Sequence, residues 1–289
     1  MKNFTTLEIA YTPDSDDAFY YDALERGEIE LPGCRLKFIR EPMAVLNRAA
    51  LMGVYDVTAI SSVIYPQIAD RYALLSVGSS VGRGYGPVLV GREAQPIEAL
   101  SGTRVGVGGI PTTGWFLLRC FCPEAIAVEM PHDTIAAAVM AGELEAGVMI
   151  HEELLYYRQL GLQCVMDLGA EWCRRNELPL PVGSNVIRRD LGRERMELVC
   201  AAIRRSLRWG LEHRQETLAR VSTYGRGAEG RCTAQFVEMF ANQDSVNLPR
   251  DVRAALQVLF AQVVDLGLGD VVPDLDIVEG REARKVEAA

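Results

Sequence analysis

Ala146-Gly147-Val148-Met149-Ile150-His151-Glu152 is the stretch on which the chain turns. Its small and apolar residues read as a buried strand, and that strand delivers a histidine where polar residues resume. The chain has only three histidines. In an open α/β sheet the carboxyl ends of strands border the ligand crevice, which makes His151 a candidate functional group. The same position also suits a histidine that caps the strand or satisfies a buried carbonyl.

Working outward, the lead-in Val139-Met140-Ala141-Gly142-Glu143-Leu144-Glu145-Ala146 has an echo earlier in the chain, at Leu51-Met52-Gly53-Val54-Tyr55-Asp56-Val57. The earlier copy leads through a strand at 56–60 to Ser61-Ser62, and registering the glycines sets Ser62 opposite His151. Two similar lobes facing each other would bring both strand ends to one ligand. This predicts a bilobal α/β protein with a central cleft rather than one continuous doubly wound sheet.

Two strand-to-helix junctions add candidates. Arg104-Val105-Gly106-Val107 runs into Gly108-Gly109-Ile110-Pro111-Thr112-Thr113 and then a helix opening at Trp115. Glycines let a backbone approach a ligand, and helix-start N–H groups bind anionic oxygens. Thr112 and Thr113 therefore read as ligand contacts, or one of them as an N-cap. At the first junction, Leu7-Glu8-Ile9-Ala10-Tyr11 is a strand, Thr12-Pro13-Asp14-Ser15 a turn, and Asp16 the cap of a helix carrying Phe19 and Tyr20. Carboxylates favour a helix amino terminus. One of Asp14, Asp16 and Asp17 is also available to bind a substrate hydroxyl or orient a catalytic base.

The glycine-rich segment 78–86 lacks both G-x-G-x-x-G and a Walker lysine, so it reads as a flexible connection rather than a phosphate cradle. Leu178-Pro179-Leu180-Pro181 stops a helix at 170–175, and Val182–Ile187 returns extended. This sets out one lobe from residues 1–90 and 187–289 and another from 91–186, with hinges near 86–92 and 181–189. The remainder reads as helical, with Phe236, Met239 and Phe240 as a packing face, Arg204, Arg205 and Arg208 as a solvated face, His213 at the surface and a charged, fraying tail from Glu279.

Composition excludes several classes. A formal net charge of −9 argues against a nucleic-acid surface, which needs concentrated positive charge. Seven cysteines in no regular spacing, with the histidines scattered, offer neither a disulfide framework nor a compact metal motif. The start Met1–Glu8 lacks a signal-peptide core, and no stretch approaches the roughly 20 apolar residues of a membrane helix. The expectation is a cytoplasmic protein with no membrane insertion, a monomer or a homodimer.

With these junctions placed, Pro13–Phe19, Pro111-Thr112-Thr113-Gly114-Trp115-Phe116-Leu117-Leu118 and Ile150-His151-Glu152 together carry a resemblance. Val165-Met166-Asp167-Leu168-Gly169 and Leu178–Gly183 extend it over nearly the whole chain. The sequence resembles the 1,4-dihydroxy-6-naphthoate synthases of the futalosine route to menaquinone. That resemblance implies a two-lobed, periplasmic-binding-protein-like fold of type II with two interlobe crossings. It implies a lyase that needs no metal or organic cofactor and cleaves cyclic dehypoxanthine futalosine, a small carboxylate-bearing substrate. His151 would be the general base, since imidazole titrates near neutral pH. Thr112, Thr113, Asp17 and Ser61 would line the substrate pocket, with Ser62 beside them from the internal echo.

Two departures from the family pattern stand out. The first loop reads Ser15-Asp16-Asp17-Ala18-Phe19 where Pro-Asn-Asp-Thr-Phe is expected, and Ala59 stands where a lysine is expected. Chorismate dehydratase of the same route is the neighbouring enzyme class. A non-catalytic small-anion-binding protein is the alternative of a different kind.

Overall fold

The computed structural model describes residues 5–224 and 230–281. The chain opens with β1 (Thr5–Tyr11), α1 (Ser15–Glu25), β2 (Cys34–Arg40), α2 (Met43–Leu51), β3 (Val57–Ser61), β4 (Tyr72–Leu75) and β5 (Ser80–Gly82). It then builds β6 (Val88–Gly91), β7 (Arg104–Val107), α3 (Thr113–Phe121), β8 (Ile126–Glu129), α4 (His132–Met140), β9 (Ala146–Met149), α5 (Glu153–Tyr156) and β10 (Gln163–Asp167). From α6 (Leu168–Asn176) it returns through β11 (Leu180–Arg188) to α7 (Arg193–Glu212), α8 (Arg214–Val221), α9 (Gly230–Phe240), α10 (Gln243–Val246), α11 (Arg250–Asp265) and β12 (Ile277–Val278).

Among the described residues these strands form two sheets, one ordered β12-β4-β11-β3-β1-β2 with β5 beside β11, the other β10-β6-β9-β7-β8. In the first, β1 runs parallel to β2 and β3, while β11 is antiparallel to β3, β4 and β5. In the second, β7 is parallel to β8 and β9, and β6 is antiparallel to β9 and β10. Strands inside such sheets are covered on both faces, so β3, β6 and β9 are buried at every position, and β6 and β9 read as runs of apolar and small residues rather than alternations.

The two largest buried clusters differ in composition. The first lobe packs Tyr11, Phe19, Tyr20 and Tyr21, all fully buried, against α7, with the Tyr11 and Tyr21 rings stacked at 4.8 Å. The second is mainly aliphatic, with Leu89, Val105, Val148 and Ile135 among its members. Removing one such side chain, as in Leu89→Ala, costs about 2–5 kcal/mol. The two chain passages between sheets touch where Gly86 meets Gly169: a Cβ on Gly169 would lie 2.4 Å from the Gly86 Cα, so neither residue has room for a side chain.

The segment 78–86 is more ordered than the flexible connection its glycines suggest. Leu180, Pro181 and Gly183 of β11 pair with Gly82, Val81 and Ser80, so β5 is stitched to the return strand. Arg204 likewise leaves the solvated face expected of it. Its guanidinium is half-buried and donates to Ser76 Oγ at 2.7 Å and to the Val246 carbonyl. His213 is exposed and stacks on Trp209 at 4.1 Å. Residues 1–4, which open the chain, and 282–289 of the charged tail lie outside the described residues. Within that tail, Glu279 is held by Arg204 and Arg253.

Candidate active site in the interlobe cleft

The cleft between the sheets encloses about 770 Å³ counted to its open mouth, and strand ends from both sheets line it. His151 lies just beyond β9 and takes a left-handed backbone conformation, φ 62°. For a residue with a Cβ this conformation costs on the order of 1–2 kcal/mol. The strand thus ends abruptly at the residue whose imidazole enters the cleft. Strained backbone of this kind clusters at functional sites, where surrounding structure holds it. The ring is nearly buried, with Phe236 of α9 6.3 Å away between centroids and His132 of α4 on another side.

Facing it from the first lobe is the acidic turn. Asp14 Oδ2 stands 3.3 Å from His151 Nδ1, and the Asp14 side chain is 1% exposed. Asp14 occupies the cap position of α1, yet its side chain makes no capping bond. Asp16, the cap expected from the sequence, lies inside the helix and accepts from Ser80 Oγ at 3.1 Å. Burial, reinforced by the charges of Asp17, Asp14 and Glu152, holds its carboxyl well above the usual range and so favours the protonated acid. Asp17 Oδ2 accepts from both the Thr12 N–H (2.9 Å) and the Thr12 hydroxyl (2.7 Å). Burial outweighs those two bonds, and the Asp17 carboxyl is pushed up to about 6. Ser15 Oγ donates to Glu152 Oε1 at 2.6 Å, a fully buried bond between the lobes right beside His151.

Thr112, Thr113, Ser61 and Asp17 all line the cleft together with His151. The threonine hydroxyl protons are already engaged. Thr112 Oγ1 donates to the Gly109 carbonyl and accepts from Trp115 N, capping α3, while Thr113 Oγ1 donates to the Val182 carbonyl at 2.6 Å. What this junction offers an anion is the N–H groups of Thr113 and Gly114, which open α3 and have no intrahelical partner. Ser61 Oγ accepts from Asn47 Nδ2 at 3.1 Å, and Asn47 Oδ1 accepts the Ser61 N–H, so a buried asparagine sets that hydroxyl's direction. Ser62 is not brought to the cleft wall. It is fully buried and paired with Ser184 Oγ at 2.9 Å. Ala59 does line the cleft.

The residue beside His151 Nδ1 is Asp14, one of three aspartates in the turn that spacing leaves equivalent. His132, Ser80, Phe236 and Phe240 also line the cleft. The scarcity of histidine was the signal for His132; the phenylalanines read equally well as core. Among the described residues no three His, Cys, Asp or Glu side chains converge as a metal site, and no helix is long and apolar enough to cross a membrane.

The chain has counterparts among known proteins. An Archaeoglobus fulgidus protein of known crystal structure shares 38% identity and superposes with a TM-score of 0.87, covering 91% of this chain and 98% of its own. The Escherichia coli periplasmic aliphatic sulphonate binding protein, at 14% identity, superposes with a TM-score of 0.67 over 98% of this chain and 96% of its own. The second likeness is one of fold, and the fold is periplasmic-binding-protein-like. A Thermus thermophilus protein named 1,4-dihydroxy-6-naphtoate synthase is 37% identical over 262 residues, 91% of this chain and 95% of that protein. The family described as menaquinone biosynthesis matches residues 7–265, a span that holds both lobes' strand ends and every residue of the cleft described above, and the chain belongs to that family.

Proposed function

We propose that this protein is a 1,4-dihydroxy-6-naphthoate synthase, a lyase that fragments cyclic dehypoxanthine futalosine with His151 as general base. The observation that carries this reading is the approach of Asp14 to His151 Nδ1 across the cleft. A carboxylate at Nδ1 favours the tautomer with its proton on that nitrogen, which leaves Nε2 as the basic atom. Nε2 removes an activated substrate proton, and the carbon's electron pair flows toward the breaking bond as the naphthoate ring becomes aromatic. Asp14 then stabilises the imidazolium. The amides at the head of α3 and the Ser61 hydroxyl receive the substrate carboxylate, with Asp17 at a sugar hydroxyl.

Closure of two lobes, 1–90 with 187–289 and 91–186, about hinges near 86–92 and 181–189 excludes water and aligns these groups. The Gly86–Gly169 contact, where both passages meet, supports a pivot there. The seven free cysteines support a reducing, cytoplasmic setting. The test is to incubate the purified protein with cyclic dehypoxanthine futalosine and follow both fragments by mass spectrometry. Formation of 1,4-dihydroxy-6-naphthoate is the expected result. Binding without product by a folded protein overturns the reading.

A further inference from the structure

The second wall of the cleft holds an imidazole that the mechanism above does not use. His132 opens α4 directly after Pro131, is half-buried, and lines the cleft. Its ring lies edge-to-face with that of His151, centroids 4.7 Å apart and planes at 88°. The Nδ1–Cε1–Nε2 edge of the ring rests on the backbone of Gly108, just past the end of β7. A Cβ at Gly108 would fall 1.7 Å from His132 Cε1, 2.1 Å from Nε2 and 2.2 Å from Nδ1. Any side chain at 108 would expel the ring, so glycine there and histidine at 132 are one device.

Charge gives the ring its task. The described residues lining the cleft include the carboxyls of Asp16 and Asp17 but no lysine or arginine. The hydroxyl protons of Thr112 and Thr113 are engaged by backbone carbonyls. An anionic ligand oxygen therefore depends on neutral donors and on imidazole. His151 has Asp14 at one nitrogen and, as base, offers the other to a proton.

We propose that His132 is a second substrate-contacting histidine, whose ring N–H donates a hydrogen bond to the substrate oxygen where negative charge develops as His151 takes its proton. The proton stays on His132 and no bond to it forms. The benefit is that of a donor fixed before the charge appears. The catalytic part rests on the proposed function. The contact with an anionic oxygen does not.

The test compares His132→Phe, which keeps a ring against His151 but removes both nitrogens, with His132→Gln, which restores one N–H donor. His132→Phe is expected to lose about 10²-fold in kcat with little change in KM. His132→Gln should recover about tenfold of that, and Gly108→Ala, which displaces the ring and changes no ionisable group, should reproduce the loss. Wild-type kcat in His132→Phe, or no recovery in His132→Gln, overturns the proposal. A second readout needs no turnover. With three histidines in the chain, imidazole nitrogen resonances can be assigned by substitution, and millimolar 1,4-dihydroxy-6-naphthoate should move those of His132. Unmoved His132 signals overturn the proposal. Signals that move in a protein that yields no product sustain the contact and reject the proposed function instead.

Discussion

The first-lobe wall of the cleft is an acidic turn, Thr12–Asp17, whose carboxylates are buried and tied to the surrounding first-lobe groups, Asp16 by Ser80 and Asp17 by two bonds from Thr12. The second-lobe wall is made of glycines and threonines after β7, His132 at the head of α4, and the left-handed His151 just past β9. One wall buries its carboxyls, and burial favours the protonated acid at Asp16. The other presents basic nitrogens and backbone N–H groups. The difference teaches that neither lobe holds a complete site: His151 meets its carboxylate only across the cleft. The base is therefore assembled from both lobes.

The sharpest way to break this comparison is His151→Ala, expected to lower kcat by about 10³-fold while the product still binds, read by fragment yield and calorimetry. An unchanged rate would remove the second wall's claim to the chemistry. His151→Gly should fold at least as stably as His151→Ala, because glycine accepts φ 62° without the left-handed penalty. Asp14→Asn keeps the shape of the turn and removes the charge beside Nδ1. It should lower kcat by about 10²-fold with KM nearly constant, and an equal loss in KM alone would make Asp14 a binding residue only.

Ser15→Ala removes the interlobe bond to Glu152 and leaves a buried carboxylate oxygen without its donor. The expected cost is about 1–3 kcal/mol, read as a lower thermal midpoint. No change would show that the lobes close without this tie. The smallest effect concerns Asp17. Its folded carboxyl titrates at about 6, above an unfolded value of about 3.9, so the native state binds the proton more tightly. Its contribution to stability is therefore greatest below about pH 4, falls as pH rises to about 6, and is level above that. Asp17→Asn keeps an acceptor for Thr12 and should flatten that slope, raising the midpoint at pH 8 but not at pH 4. A slope that persists unchanged assigns it to Asp16.

Strand ends were legible because a buried strand is a local signal: residues 146–150 form an apolar run, residues 57–60 are apolar but for Thr58, and each stops where polar residues begin. His151 was legible because histidine is scarce and sits at such an end. The pairing of β5 with β11 was not, since glycine content reports backbone freedom and not the partner strand that removes it. Nor did the sequence separate Ser61 from Ser62. Ser61 closes β3 and Ser62 lies just past it, and only the folded chain, which pairs Ser62 with Ser184 of β11, decides which of the two serines lines the cleft.

By itself the chain determined the alternating α/β order, the junctions at 12–17, 108–114 and 150–152, and the family they belong to, because each rests on residues near one another in sequence. Tertiary structure alone decided which aspartate reaches His151 and that His132 stands over Gly108. Asp14 and His151 are far apart along the chain, and within a turn of three aspartates the spacing is the same for any partner. The choice is made by how α1 and β9 are held across the cleft, through contacts such as Ser15 to Glu152 that only the folded lobes bring together.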